Sequence, residues 1–478
     1  MTKVLCFLGI LLSVSLCVQS WGMYLSWLYI PWVFFIITAA FIAYNIGSEV
    51  YLKEFYLRPS IICLLSLLIV GFQLSIDDVL GYSSLNSTIF SGASEYADQA
   101  FFSASLFVFS YILGLGQSRN ILFRNNSNDT NAKHAKVWLG IMLLTFVLFI
   151  STIDVRFFLS GEVYHGSGAA DYNYSITNTL EGLYQIFFYV TLACYVKLSS
   201  IRGKTEKSFR NFVKEFPLLF WVCVISYLFL RLLSGDRGPI IYNSLAIIYG
   251  FIWCTKYRFK LLTVVGCLIV GALFMSFMST FRSRDSNMSI SEKISETTER
   301  RAEMDDKSVF SGTKELALSE NTHFIAIKDI AKYKTNYSFG KYALFSICSA
   351  IPGLKKQYLY DWGFESTEIS SADYFTISCN GKDFTHGEGS SMFGEAYLEF
   401  GVIGMIIFGL LLGSIFKQLD IALMSTNSIS VISLAVILQV SAKAIYMGRT
   451  SFAIELSYVL HMIVITCIIN FVLKKIFL

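Results

Sequence analysis

RLLSGDRGPII, residues 231–241, gathers Arg231, Asp236 and Arg237 into one short turn, and further arginines stand at comparable places: Arg282 and Arg284 in STFRSRD, Arg449 in MGRTS. A guanidinium presents a planar fork that meets phosphate oxygens two at a time, which an ammonium cannot do. Singly, each arginine also has a simpler reading, a long side chain snorkelling to a membrane interface. A second stretch, HGEGSSMFGEAYLEFGVIG at 386–404, carries His386, Glu388, Glu395 and Glu399 and passes without interruption into an apolar run. A carboxylate or imidazole within hydrogen-bond reach of a hydroxyl can take its proton. The simpler reading is that acids collect at helix amino termini, where the dipole favours them, and that His386 is a solvated loop residue.

The two sets together suit one type of reaction. Several guanidinium groups at a lipid surface fit a lipid phosphate or diphosphate. Cleaving a sugar from lipid diphosphate leaves negative charge on the departing group, which fixed cations stabilise. The attacking sugar hydroxyl would lose its proton to His386 or Glu388, with Asp236 and Glu395 behind them. Other chemistries lack their residues: no paired Cys or His at metal spacing, no Gly-Lys phosphate loop, no Gly-x-Ser-x-Gly turn and no Asp-x-Asp. Neither a metal nor a cofactor is expected, and a cytoplasmic nucleotide-sugar donor is not expected either.

Membrane helices must position these groups. Of the 478 residues 54% are hydrophobic and only 15% charged, against about a quarter charged in soluble domains. Crossing a ~30 Å hydrocarbon core takes about 20 apolar residues in a helix, because backbone polar groups must be satisfied internally there. Such runs occur near 4–20, 25–46, 59–80, 99–116, 137–154, 179–198, 216–233, 239–255, 261–280, 391–416, 428–446 and 452–473. An all-α polytopic integral membrane protein of about twelve transmembrane helices is therefore expected. The first run, after Lys3, also fits a cleaved secretory signal, with the same topology.

Lys and Arg crowd the loops at 117–136 and 197–215, whereas 81–98 has neither and 155–178 has only Arg156. The positive-inside bias then places both termini in the cytoplasm and the chemistry-bearing groups on the opposite face. Residues 1–280 read as a bundle of about nine spans, 281–390 as one large outer (periplasmic) loop with short helices, and 391–478 as three further spans of the same domain. Within the loop, ISEKISETTERRAEMDD and TKELALSENTHFIAIKDIAKY read as helices, the second with apolar residues at helical spacing. Cys348 and Cys379 fall in that loop, where a disulfide is permitted. The net charge of +4 reflects the cytoplasmic bias, and no basic stripe or recognition fold points to nucleic acid.

On the polytopic layout, the late outer loop, the SGDRGP turn, Arg282 with Arg284, and above all GEGSSMFGEAYLEFGVIG, the chain resembles the Wzy-type O-antigen polymerases of Gram-negative bacteria. The resemblance implies a GT-C-like bundle in the inner membrane and glycosyl transfer without metal or nucleotide. It implies undecaprenyl-diphosphate-linked oligosaccharides as donor and acceptor, membrane lipids around them, and a chain-length-regulating co-polymerase as partner. Carried onto this chain, Arg237, Arg282 and Arg449 would hold diphosphate, with Arg231 and Arg284 beside them, and His386 or Glu388 would be the base. His386 followed by Gly401 and Gly404 is also similar to a pattern in O-antigen ligases, at longer spacing here. A ligase therefore stays open as an alternative. A flippase or transporter fits less well, since the unusual charges crowd one face and no internal repeat is visible.

Overall fold

A computed structural model describes residues 2–20, 25–46, 52–82, 94–116, 134–153, 174–201, 208–281, 311–349, 370–381, 387–425 and 429–477. Among these every regular element is helical. In chain order the main helices are α1 (Thr2–Gln19), α2 (Tyr29–Ile46), α3 (Pro59–Val79), α4 (Ala97–Leu115), α5 (Ala135–Thr152), α6 (Tyr174–Ile201), α7 (Leu218–Leu233) and α8 (Arg237–Thr255). There follow α9 (Leu261–Phe281), α10 (Asn321–Lys332), α11 (Lys341–Ser349), α12 (Ser371–Asn380), α13 (Met392–Met424), α14 (Val431–Lys443) and α15 (Phe452–Phe477). Each expected apolar run lies on one of them. Nine helical stretches among the described residues are long and apolar enough to cross a bilayer, while α7 and Leu218's counterpart at the start of α9, Leu261–Phe274, are shorter apolar pieces. The protein is an all-α polytopic membrane protein.

Local chemistry sets several helix starts. Pro59 opens α3, where its missing N–H costs nothing. Ser370 and Asp373 form a reciprocal capping box on α12, each side chain accepting from the other's backbone N–H.

The described residues divide into two compact units. The first comprises Met1–Asn120, Arg301–Asp420 and Ala444–Leu460. At its centre α4 is buried almost all round, and small residues let neighbouring backbones come close, as membrane helices require. A Cβ at Gly409 would stand 2.5 Å from the Phe107 carbonyl oxygen, and one at Gly413 or Gly114 would likewise collide with the facing backbone of α4 or α13. Helix α1 packs along α4, with Gly9 against the Phe109 ring. Its other face exposes Val4, Phe7 and Leu11, and α2 exposes Phe34 and Phe41, surfaces suited to acyl chains.

Parts of the long insertion also belong to this unit. The stretch expected as one helix over 313–333 is broken by a 3-10 turn at Leu318–Glu320. Its second half, α10, is buried nearly all round rather than along one stripe, because it packs on α4 and α12 together. Cys348, buried, and Cys379, exposed, are both free thiols. The segment ISEKISETTERRAEMDD lies outside the described residues.

The second unit comprises Ile121–Arg300, Ile421–Lys443 and His461–Leu478. Helices α6, α8 and α14 pack on one another, and α5 runs along α6. Aromatic rings fill the joints, for example Tyr184 against Tyr227 with centroids 4.6 Å apart and Trp138 against Phe187 at 6.1 Å. Lys256 ends α8 in the left-handed conformation (φ 53°) and donates its ammonium to the Leu423 carbonyl at 2.9 Å.

Candidate active site

The continuous helix expected through 391–416 is corrected by the structure: α13 is interrupted at Phe400 (φ −143°) and Gly401 (φ 61°, ψ −140°). Only glycine takes the second conformation readily, and a Cβ at Gly401 would lie 2.8 Å from the Tyr337 hydroxyl. An interruption strands carbonyls in the preceding turn, and inside a membrane protein another segment must satisfy them. The Ser338 N–H donates to the Leu398 carbonyl at 3.0 Å and the Phe339 N–H to the Glu399 carbonyl at 3.1 Å. Just beyond, the Glu399 carboxylate accepts from the N–H groups of Gly340 (2.5 Å) and Tyr342 (3.1 Å). Residues 338–342 are thereby docked onto the broken turn.

Glu395, one turn earlier and 1% exposed, is held differently. Its carboxylate accepts from the Ser371 hydroxyl at 2.6 Å and from the Ala453 N–H at 2.9 Å, capping the start of α15. Gly394 lets α10 and α12 approach, since a Cβ there would stand 2.9 Å from Thr322 and 3.0 Å from Phe375. Glu388 is half-buried at the foot of α12, its carboxylate accepting from the Asn380 amide at 3.1 Å and its N–H donating to Thr376. Arg449 pairs with Glu315, donating to its carboxylate at 3.1 Å. His386, Arg282 and Arg284 lie outside the described residues.

The same unit holds an acid and a base that no sequence motif flagged. Glu320 and His323, one turn apart at the start of α10, are both fully buried. Glu320 accepts from Ser75 at 3.2 Å, and the His323 Nε2 lies 3.1 Å from the Ser103 hydroxyl. The other polar atom of each side chain, Oε2 and Nδ1, has no hydrogen-bond partner among the described residues. Burial, reinforced by Asp77, pushes the Glu320 carboxyl up to about 8 despite its hydrogen bonds, and burial takes the His323 imidazole down to about 3. Both are neutral near pH 7.

In the second unit the GDR turn is formed by Gly235 (φ 73°), whereas Gly238 and Pro239 already lie within α8. Asp236 caps that helix by accepting from the Gly238 N–H at 3.3 Å. Arg231, 6% exposed, forms ion pairs with Asp236 at 3.3 Å and with Glu181 of α6. The Tyr227 hydroxyl donates to Glu181 at 2.5 Å, and its ring lies 5.8 Å from the Arg231 guanidinium. Arg237 is buried beside them in sequence. Lys443, at the end of α14, stands 5.9 Å over the Tyr242 ring of α8. The neighbouring Asn243 is 1% exposed, and neither of its amide atoms has a hydrogen-bond partner among the described residues. The result is a buried guanidinium with carboxylates, phenols and a free amide around a helix amino terminus, a set that can bind anionic and hydroxyl-bearing ligands.

The sequence matches the family model of the O-antigen polysaccharide polymerase Wzy over residues 1–478, the whole chain. The chain belongs to that family. Among curated proteins and among solved structures nothing matches it. Membership of the Wzy family makes this multi-pass protein a polymerase of O-antigen polysaccharide synthesis, acting on lipid-linked oligosaccharides.

For a Wzy family member, several of the groups just described were hidden in the sequence. Glu181 sits inside a run counted as a span, and an acid in a span is itself a sign of a functional or paired position. Glu315 and Glu320 are ordinary acids of a long loop by sequence, and His323 has no ligand-like spacing. Only the packing of α3, α4 and α10 brings Ser75, Ser103, Glu320 and His323 together.

Proposed function

We propose that the protein joins undecaprenyl-diphosphate-linked repeat units at the periplasmic face of the inner membrane, with both of its termini in the cytoplasm. The acceptor hydroxyl oxygen attacks the anomeric carbon of the donor. The bond from that carbon to the diphosphate oxygen breaks, and the electron pair leaves with the lipid diphosphate. The hydroxyl proton passes to His386 or Glu388. Arg231, Arg237, Arg282, Arg284 and Arg449 hold the two diphosphates and stabilise the charge on the leaving group. Asp236 and Glu395 are the further candidates for the proton-accepting role. The donor is already activated by its diphosphate, so neither metal nor nucleotide enters the step, and a chain-length-regulating co-polymerase associates with the protein.

The buried Arg231 at the GDR turn supports this reading most. A guanidinium held by Glu181, Asp236 and Tyr227 is fixed in orientation before any ligand arrives, so little ordering entropy is lost on binding. The test is polymer length in cells carrying Arg237→Ala or Arg282→Ala. The expected product is a single repeat with normal membrane insertion, rescued poorly by Lys, which lacks the fork. Full-length polymer from both Ala variants would remove these arginines from the site.

A further inference from the structure

Within the first unit, a cavity of about 290 Å³ opens where α1 and α3 begin and α2 and α4 end. It lies well beyond the broken turn: Asp420 follows the break at Gly401 by about 28 Å of helix at 1.5 Å per residue. The charge bias assigns this end of the helices to the cytoplasm. Three cations, Lys3, Arg58 and Lys417, face one acid, Asp420, across the lining, a net of two positive charges. Arg58 is fixed in place, donating to the carbonyls of Phe55 (3.0 Å) and Leu52. Asp420 is turned toward α3, where it accepts from the N–H (3.1 Å) and the hydroxyl (2.5 Å) of Ser60. Thr2 and Tyr44 add hydroxyls to the lining, and the rest of the wall is apolar, including Cys6, Ala43, Ile112 and Leu115 at the ends of apolar helices.

A half-enclosed cavity with surplus positive charge calls for an anion, and its apolar wall at the end of membrane helices calls for an acyl chain on that anion. We propose that this cavity binds an anionic glycerophospholipid of the leaflet at the α1 amino terminus, its phosphate between Lys3, Arg58 and Lys417 and its first methylenes against Cys6, Ala43 and Ile112. The volume is at the lower limit for ligand pockets, about 300 Å³, enough for a headgroup phosphate and the adjoining glycerol. Basic pockets between helices on the cytoplasmic side are the usual form of anionic-lipid recognition. The bound lipid ties α1 and α2 to α3, α4 and α13 at the end of α13 away from its broken turn.

The experiment uses the purified full-length protein in nanodiscs of phosphatidylglycerol or phosphatidylcholine, reading lipid retention by native mass spectrometry and the thermal midpoint. Phosphatidylglycerol is expected to be retained and to raise the midpoint above that in phosphatidylcholine. The double variant Lys3→Gln/Lys417→Gln, which changes two side chains outside the core, is expected to weaken that retention about 30-fold. Ala43→Phe, which fills the cavity and leaves every charge in place, is expected to abolish it. Equal retention of the two lipids would overturn the proposal, as would retention of phosphatidylglycerol by Ala43→Phe, which would locate binding on the outer surface. A midpoint raised as much by inorganic phosphate in phosphatidylcholine would reassign the site to the free anion. These readouts do not depend on polymer synthesis, so they stand or fall apart from the function proposed above.

Discussion

Gly340 gives its N–H to the Glu399 carboxylate at 2.5 Å while Phe339, one residue before it, gives its own to the Glu399 carbonyl at 3.1 Å. One residue thus fastens a loop with both its main chain and its side chain. Glu399→Ala leaves the buried Tyr342 donor without an acceptor, at about 1–3 kcal/mol, and the half-buried Gly340 donor without one at a smaller cost. A markedly lower thermal midpoint and faster proteolysis near residues 337–342 are expected, with Glu399→Gln in between. A midpoint unchanged in Glu399→Ala would show that water serves these donors equally well.

Arg231 and Glu181 form an ion pair buried between α7 and α6. Removing Arg231 strands the Glu181 carboxylate, which costs about 3–5 kcal/mol, whereas removing Glu181 leaves Arg231 its Asp236 partner and costs less. Arg231→Met with Glu181→Gln is expected to recover much of the stability lost in each single variant, the signature of direct coupling. Polymer length is expected to stay short in the double variant, since the guanidinium itself is gone. The comparison is a double-mutant cycle of thermal midpoints with polymer ladders run alongside.

Glu320 and His323 predict the pH profile of stability. The Glu320 carboxyl titrates higher in the folded protein, about 8 against 4.5, so the native state holds the extra proton between those values. Stability falls there by about 1.4 kcal/mol per pH unit as pH rises. The His323 imidazole titrates lower, about 3 against 6.5, so the unfolded state holds the extra proton and stability falls as pH drops through that window. Between pH 4.5 and 6.5 the two slopes cancel, and a plateau flanked by declines is expected. Glu320→Gln should flatten the alkaline side and His323→Gln the acid side, as measured by unfolding midpoints from pH 3 to 9.

Gly401 carries the break in α13. Gly401→Ala forces a Cβ into a conformation with φ 61° and against the Tyr337 ring, a strain on the order of 1–3 kcal/mol. Gly404→Ala would drive its Cβ into the Ala396 carbonyl oxygen. Both are expected to lower the midpoint and shorten polymer, and Tyr337→Ala combined with Gly401→Ala should restore only the steric part. A Gly401→Ala protein as stable as the parent would mean that the turn re-forms as ordinary helix.

The helices were legible because an apolar run needs only composition to declare itself, but the helix after the GDR turn, which Pro239 was expected to open, starts two residues earlier at Arg237 with Asp236 as its cap. The clustering of Arg231 with Asp236 could be read from a turn of a few residues. The break at Phe400 and Gly401 could not, since Gly401 is one of five glycines in the run 391–416, and nothing in the sequence marks it off from Gly394, Gly404, Gly409 or Gly413. What stabilises the break comes from Tyr337, Ser338 and Phe339, some sixty residues earlier. Glu181 was hidden for the same reason: its partners Tyr227 and Arg231 lie on another helix. The proposed roles of His386, Arg282 and Arg284 rest on sequence and family membership, since these three lie outside the described residues.

Where α4 and α13 meet at Gly114, Gly409 and Gly413, main chain rests on main chain with no cushion of side chains between. Two rods seated in this way cannot shear past each other without first being lifted apart, so the part of α13 beyond its break, residues 402–420, serves as a strut of fixed length. Any rearrangement within this unit must therefore come from elements other than this pair, and not from one of the two sliding along the other.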